Sequence, residues 1–259
     1  MKNVVFGILI IIHFGCNGQS REEIKNKPSE SIVKINNSKK KEYIKTLKEL
    51  KLDNDSLKSY GVIKNIIKEE KLNLNNKKLS IDSLSSLFKI SLVNRILPFW
   101  EGTEWSFEGH TSIPRKGKIA CGYFVSTTLK DLGVNLNRYR LAQQSPINEA
   151  RSLALNTKVI EIFENSKEEN ISKIQSTFKD GIHFIGFDAS HVGYILKEKG
   201  ELYMIHSNYI DFKGVEIEKI ESSDVFASYD RYYLAELSTN EMLLKSWVNG
   251  NEIKVIHKK

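Results

Sequence analysis

Cys121, His191 and His206 are the residues of this chain whose types and spacing could do nucleophilic chemistry. The cysteine stands in GKIACGYFVSTTLKDLGV, where a loop gives way to an apolar helical pattern. A thiol attacks carbonyls as thiolate, and the unpaired N–H groups of a helix start favour that charge. Gly122 leaves room beside the sulfur for a substrate backbone. A nucleophilic cysteine also needs a base, and the base an orienting partner. Of the six histidines, His13 and His257 lie near the chain ends, His110 in a loop and His183 inside an apolar strand pattern. His191 and His206 instead open and close SHVGYILKEKGELYMIHS, a hairpin pattern turning at Lys199-Gly200. Residues near the two ends of a hairpin come opposite each other, so two imidazoles can face one site. Asp188, just before the first of them, is assigned no role.

The cysteine count sharpens the question. The chain has two cysteines, and the other is Cys16. MKNVVFGILIIIHFGC carries one early lysine, an apolar run from Val4 to Ile12 and a glycine before Cys16. The run is shorter than the ~20 apolar residues a membrane span needs and has the length of a secretory signal core. Gly15-Cys16 resembles a bacterial lipobox, with His13 and Phe14 at positions usually small or aliphatic. The resemblance implies that Cys16 is the lipidated first residue of an exported, membrane-anchored lipoprotein of the cell envelope. Cys121 then has no disulfide partner within the chain. A lone thiol outside the cytosol is exposed to oxidation, so its retention asks for a use.

The elements that must position these residues follow from periodicity. Residues 1–15 are expected as signal peptide and 16–40 as lipidated terminus and polar tether. Residues 41–97 read as an N-terminal helical extension. Tyr43, Leu47 and Leu50 form one stripe in it, and Val62, Ile63, Ile66 and Ile67 another. Its last helix has Ser80 as cap, Ile81, Leu84, Leu87 and Phe88 on its inner face, and Pro98 at its end. Residues 98–240 carry the candidate catalytic domain. A glycine- and aromatic-rich loop leads to the cysteine helix, whose stripe is Phe124, Val125, Thr128, Leu129 and Leu132, with Gly133 as its stop. Helices around INEARSLAL and Lys167 follow, then the strands GIHFIGF, the hairpin and RYYLAEL. Residues 241–259 read as a C-terminal tail. Helices followed by antiparallel strands predict an α+β fold.

Four short motifs, in order, resemble the NlpC-type papain-like cysteine peptidases, a family of bacterial enzymes that hydrolyse amide bonds in peptidoglycan stem peptides. They are Gly102-Thr103-Glu104-Trp105, Cys121-Gly122-Tyr123-Phe124-Val125, His191-Val192-Gly193-Tyr194-Ile195 and Ile205-His206-Ser207. The resemblance covers about residues 99–210 and implies a papain-like core, a cysteine helix packed on an antiparallel sheet. It implies Cys121 as nucleophile, His191 as base and His206 as orienting residue, with Trp105 near the oxyanion pocket. It departs at the nucleophile. The family's usual Asp-Cys-Ser-Gly is Ala120-Cys121-Gly122-Tyr123 here, which removes the groups that hold a substrate ammonium. The cut could then fall at another amide, an acyl- or peptidyl-transferase could use the same scaffold, and a non-catalytic envelope-binding lipoprotein is the third reading.

The remaining features bound the partners. The net charge of +7 is concentrated in lysine runs such as Lys39-Lys40-Lys41 and reads as solvated helix faces. No arginine–aromatic cluster or nucleic-acid module accompanies it, so no nucleic-acid partner is expected. Cys121, His191 and His206 lack Cys-x-x-Cys or His-x-x-x-His spacing, and no metal or other cofactor is expected. The expected partners are peptidoglycan, or another amide-bearing envelope substrate, and the membrane through the lipid.

Overall fold

Apolar residues spaced three and four apart, and strands apolar at consecutive positions, require a sheet covered on both faces. The computed structural model of the chain describes residues 60–74, 79–188 and 190–257 and gives that architecture, an α+β fold. The expected signal peptide, Cys16, the tether and the Tyr43 stripe lie outside the described residues. Among the described residues no helix is long and apolar enough to cross a membrane.

Helix α1 (Tyr60–Leu74) buries Ile63 and Ile67, one turn apart, and leaves Val62 exposed. Helix α2 (Ile81–Ile90) begins at the Ser80 cap, whose hydroxyl accepts the Ser83 N–H at 3.2 Å. Its inner face is Phe88, with Leu84 and Leu87 partly buried and Ile81 exposed. The helix does not end at Pro98. It loosens into a π-helical turn, Ser91–Ile96, and re-forms as α3 (Leu97–Trp100). Pro98 sits in the first turn of α3, where its missing N–H costs no hydrogen bond. Trp100 Nε1 donates to the Tyr60 hydroxyl at 2.8 Å, and that hydroxyl donates to Asp131 at 2.6 Å.

Helix α4 (Cys121–Asp131) follows the loop and buries the whole expected stripe from Phe124 to Leu132. Then come α5 (Arg138–Ala142), α6 (Pro146–Ala154), β1 (Ile160–Ile162) and α7 (Lys167–Thr177). The strands are β2 (Gly181–Phe187), β3 (His191–Glu198), β4 (Glu201–Asn208) and β5 (Gly214–Lys219). A short α8 (Asp224–Ala227), β6 (Tyr232–Glu236) and α9 (Glu241–Asn249) complete the chain. The sheet order is β1-β6-β2-β3-β4-β5, antiparallel throughout, and Lys199-Gly200 forms the β3–β4 turn with both φ angles positive.

Alternation divides the sheet between two cores. Ile182, Phe184, Val192, Tyr194, Tyr203, Ile205, Val215 and Ile217 face one core with Phe88, Trp100, Phe124, Leu129 and Trp247. Ile185, Phe187, Ile195, Leu202 and Met204 face the other, with Ile174, Phe178, Val225 and Phe226. Two expectations are corrected. Residues 241–259 do not form a tail, because α9 buries Leu243, Leu244 and Trp247 and Trp247 Nε1 donates to the Leu132 carbonyl at 2.9 Å. The described helices before residue 98 are no separate extension, since Ile63, Phe88 and Leu92 share the core of α4.

Candidate active site

The three sequence-selected residues come together at the beginning of β3. Cys121 is the first residue of α4, with Ala120 as an extended N-cap that offers no side-chain hydrogen bond. Its sulfur lies 4.0 Å from the Ser190 carbonyl oxygen and receives the Val192 N–H, so it rests against the main chain on both sides of His191. The N–H groups of Gly122 and Cys121 also point at it. By alternation His191 and His206 share the face of Ile195 and Met204, whereas α4 packs on the opposite face. Helix and histidines therefore approach from two sides and meet where β3 begins. No hydrogen bond joins the thiol to the His191 ring among the described residues.

The histidines start a relay. His191 Nε2 lies 3.0 Å from His206 Nδ1, and His206 Nε2 lies 3.1 Å from Glu218 Oε1. The Ser223 hydroxyl, which also caps α8, donates to the same oxygen at 2.6 Å. Gly193 makes the pairing possible, because a Cβ there would stand 2.9 Å from the His206 Cβ. Register does the rest, placing His206 opposite Glu216 and Met204 opposite Glu218.

The relay fixes protons. Burial alone would raise the Glu218 carboxyl, but its hydrogen bonds from His206 and the Ser223 hydroxyl, with the attraction of the nearby cationic groups, outweigh it and hold it below the usual carboxylate range. An ionised carboxylate only accepts, so His206 carries its proton on Nε2 and its Nδ1 is an acceptor. His191 Nε2–H then donates to that Nδ1, which leaves His191 Nδ1 unprotonated and able to take a proton. Burial, and then the neighbouring His206, push His191 well below the ordinary histidine range, so the ring is neutral at rest.

The thiol differs from expectation. Burial pushes Cys121 up to about 11 and the Glu149 charge adds to it, while the N–H groups of Val192, Gly122 and Cys121 oppose both. A helix terminus contributes about 1 kcal/mol, less than one tenfold step in acidity, and does not offset the desolvation. The resting site is thus neutral thiol and neutral imidazole. At pH 7 this leaves about a hundredfold less thiolate than an unperturbed cysteine has. Iodoacetamide is accordingly expected to label the Cys121 peptide, followed by mass spectrometry, more slowly than free cysteine. The rate should climb past pH 9 without levelling. A plateau at or below pH 8.5 would show an acidic thiol instead.

Other site residues are placed as follows. Gly122 is buried and the room beside it is taken, since a Cβ would meet the Ala142 carbonyl oxygen at 2.7 Å and Glu149 Oε1 at 3.2 Å. Its missing side chain therefore serves the close packing of α4 on α5 and α6. Trp105 stands one ring away from the histidines, 5.6 Å from Phe212 and 6.2 Å from Tyr209 between centroids. Tyr209 and Phe187 are the aromatics against the His191 ring, at 5.4 and 5.3 Å, and the Tyr209 hydroxyl joins Tyr229, which joins Ser190. His110 contacts Tyr123 on the loop side.

Sequence reasoning missed Glu218, Tyr209 and Glu149. GVEIEK, with alternating glutamates, does carry a strand signal for β5, and Tyr209 follows the hairpin directly. Glu149 looks like the polar face of a short helix, yet it is 2% exposed, its Oε2 has no partner among the described residues and burial holds it well above the carboxylate range. Among the described residues the donors gathered closely enough for a metal are His206, Glu216 and Glu218, within 4.8 Å of one another. Compared with known proteins, the chain matches no family model, no curated protein and no solved structure.

Proposed function

We propose that the protein is an exported, lipid-anchored cysteine hydrolase with a papain-like core, cleaving an amide bond in a peptidoglycan stem peptide. The observation that carries this reading is the relay from Ser223 and Glu218 through His206 to His191, whose flanking main chain, the Ser190 carbonyl and the Val192 N–H, meets the thiol. A base pre-set in one tautomer is what a nucleophilic cysteine needs and what a merely structural pair of histidines does not. The four motifs supply the substrate class, and the lipobox resemblance supplies the location.

In the reaction His191 Nδ1 takes the Cys121 proton as the sulfur attacks the carbonyl carbon. The N–H groups of Cys121 and Gly122, which point at the sulfur, stabilise the charge that develops there, and Tyr209 packs on the His191 ring. The C–N bond breaks and His191 gives its proton to the departing amine. Water then attacks the thioester, yields a proton to His191, and the thiol leaves and recovers it. Transfer from a high-pKa thiol to a low-pKa imidazole is unfavourable at rest, so attack and proton transfer are coupled and await substrate.

The test incubates the full-length protein in detergent with peptidoglycan sacculi and defined muropeptides, and mass spectrometry reads the new peptide ends. Products present with wild type and absent with Cys121→Ala are expected, together with an acyl adduct on the Cys121 peptide after rapid acid quench. No products and no adduct on any of these substrates would return the protein to the binding-lipoprotein reading. Products released only onto an added amine acceptor would make it a transferase.

A further inference from the structure

At the edge of the sheet, His206 and Glu218 of the relay also belong to a second arrangement, completed by Glu216. His206 on β4 stands opposite Glu216 on β5, and Glu218 lies two residues along the same face. Strand periodicity thus points one imidazole and two carboxylates to one side of the outermost strand. The imidazole is wholly buried and the two carboxylates are half-buried, at the rim rather than in the core. His206 Nε2 and Glu218 Oε1 are 3.1 Å apart, and one oxygen of Glu216 completes a triangle no wider than 4.8 Å. A cation about 2.1 Å from each donor fits between atoms so spaced, and solvent at the strand edge can complete a tetrahedral shell. Asn208 Nδ2 donates to Glu216 and the Ser223 hydroxyl to Glu218, so the carboxylates are aimed by neutral groups that metal binding need not displace.

We propose that His206, Glu216 and Glu218 form a site for a divalent cation of borderline softness, Zn²⁺ being the natural choice for one nitrogen and two carboxylate donors. Occupancy turns the relay off. A cation on His206 Nε2 takes the lone pair of that nitrogen, so the ring's proton moves to Nδ1, which becomes a donor to His191 Nε2. His191 then carries its own proton on Nδ1, the nitrogen that must accept from the thiol. No proton is gained or lost overall, yet the base is disabled. The binding site stands on geometry alone, while its inhibitory effect rests on the hydrolase reading.

Equilibrium dialysis with ZnCl₂ on full-length Cys121→Ala protein, which lacks the competing thiol, tests the site. One saturable equivalent is expected, weakened at least tenfold by adding Glu216→Gln, an isosteric change outside the relay. Absence of saturable binding, or equal affinity in the Glu216→Gln background, overturns the site. With the thiol restored, Zn²⁺ should stop muropeptide cleavage at the concentration that fills the site, and Glu216→Gln should keep its activity there. Equal inhibition of both overturns the switch. Should no cleavage be found at all, the dialysis still reads the metal site independently.

Discussion

Under the proposed hydrolysis, Glu218→Gln is expected to lower kcat by about a hundredfold and to leave KM within about twofold of wild type, the scale expected of a group that orients a ligand or base from behind. The carboxylate sits two imidazoles away from the thiol and touches no substrate, so ground-state binding does not change. What changes is the proton order. A carboxylate only accepts, so it keeps the proton on His206 Nε2. A glutamine can offer its own N–H to that nitrogen and stabilise the opposite tautomer, which places a proton where His191 must accept one. The imidazolium formed during attack also loses its counter-charge. Nitrogen-15 chemical shifts of the His206 ring distinguish this from damage to the sheet, since they report which nitrogen is protonated in the folded protein. Unchanged kcat, or a loss confined to KM, would remove Glu218 from the relay.

The place of Glu218 on β5 shows why local pattern reveals only half of the candidate site. Cys121 and His191 open elements and His206 stands two residues before the end of β4, so period, loop and tight turn single out all three as candidates. The relay beyond them depends on which strand lies next to β4, and strand order is not written in local pattern. GVEIEK gives a strand and two outward glutamates, but only the register His206 to Glu216 makes one of them a partner. The fold divides the same way. The β2 and hairpin strands and the α4 stripe follow from apolar spacing, while the burial of α9 and of the Ile63 stripe needs the shared core to be seen. The acidity of the thiol was misjudged for a related reason. A helix start is a local feature, whereas desolvation and the Glu149 charge come from α6 folding back over Gly122.

Acidification should destabilise the fold through His183, the histidine inside the apolar pattern of β2. Its ring lies in β2 with no exposed surface, 4.7 Å from the Phe178 ring, and Nε2 sits 3.0 Å from the Lys179 carbonyl oxygen. That carbonyl takes the single proton of the neutral ring, and Nδ1 is left buried with no partner among the described residues. An imidazolium would put an N–H at Nδ1 with nothing to receive it. Burial accordingly lowers His183 to about 4; the Lys197 charge also lowers it, and the Lys179 carbonyl and Asp180 oppose. In the unfolded chain the same ring titrates near 6.5. Between those values the unfolded state binds a proton that the native state refuses, so stability is full above pH ~6.5 and falls as pH drops toward 4. The accumulated loss is about 3 kcal/mol, a large part of the 5–15 kcal/mol of a typical domain. Urea unfolding of wild type and His183→Leu at pH 7, 5.5 and 4 isolates this contribution, because carboxylates and the other buried histidines titrate in both proteins and cancel in the difference. The leucine variant should lose about 3 kcal/mol less than wild type across that range. Parallel slopes would mean that the native ring accepts its proton after all, through a local opening of β2 that lets water reach Nδ1.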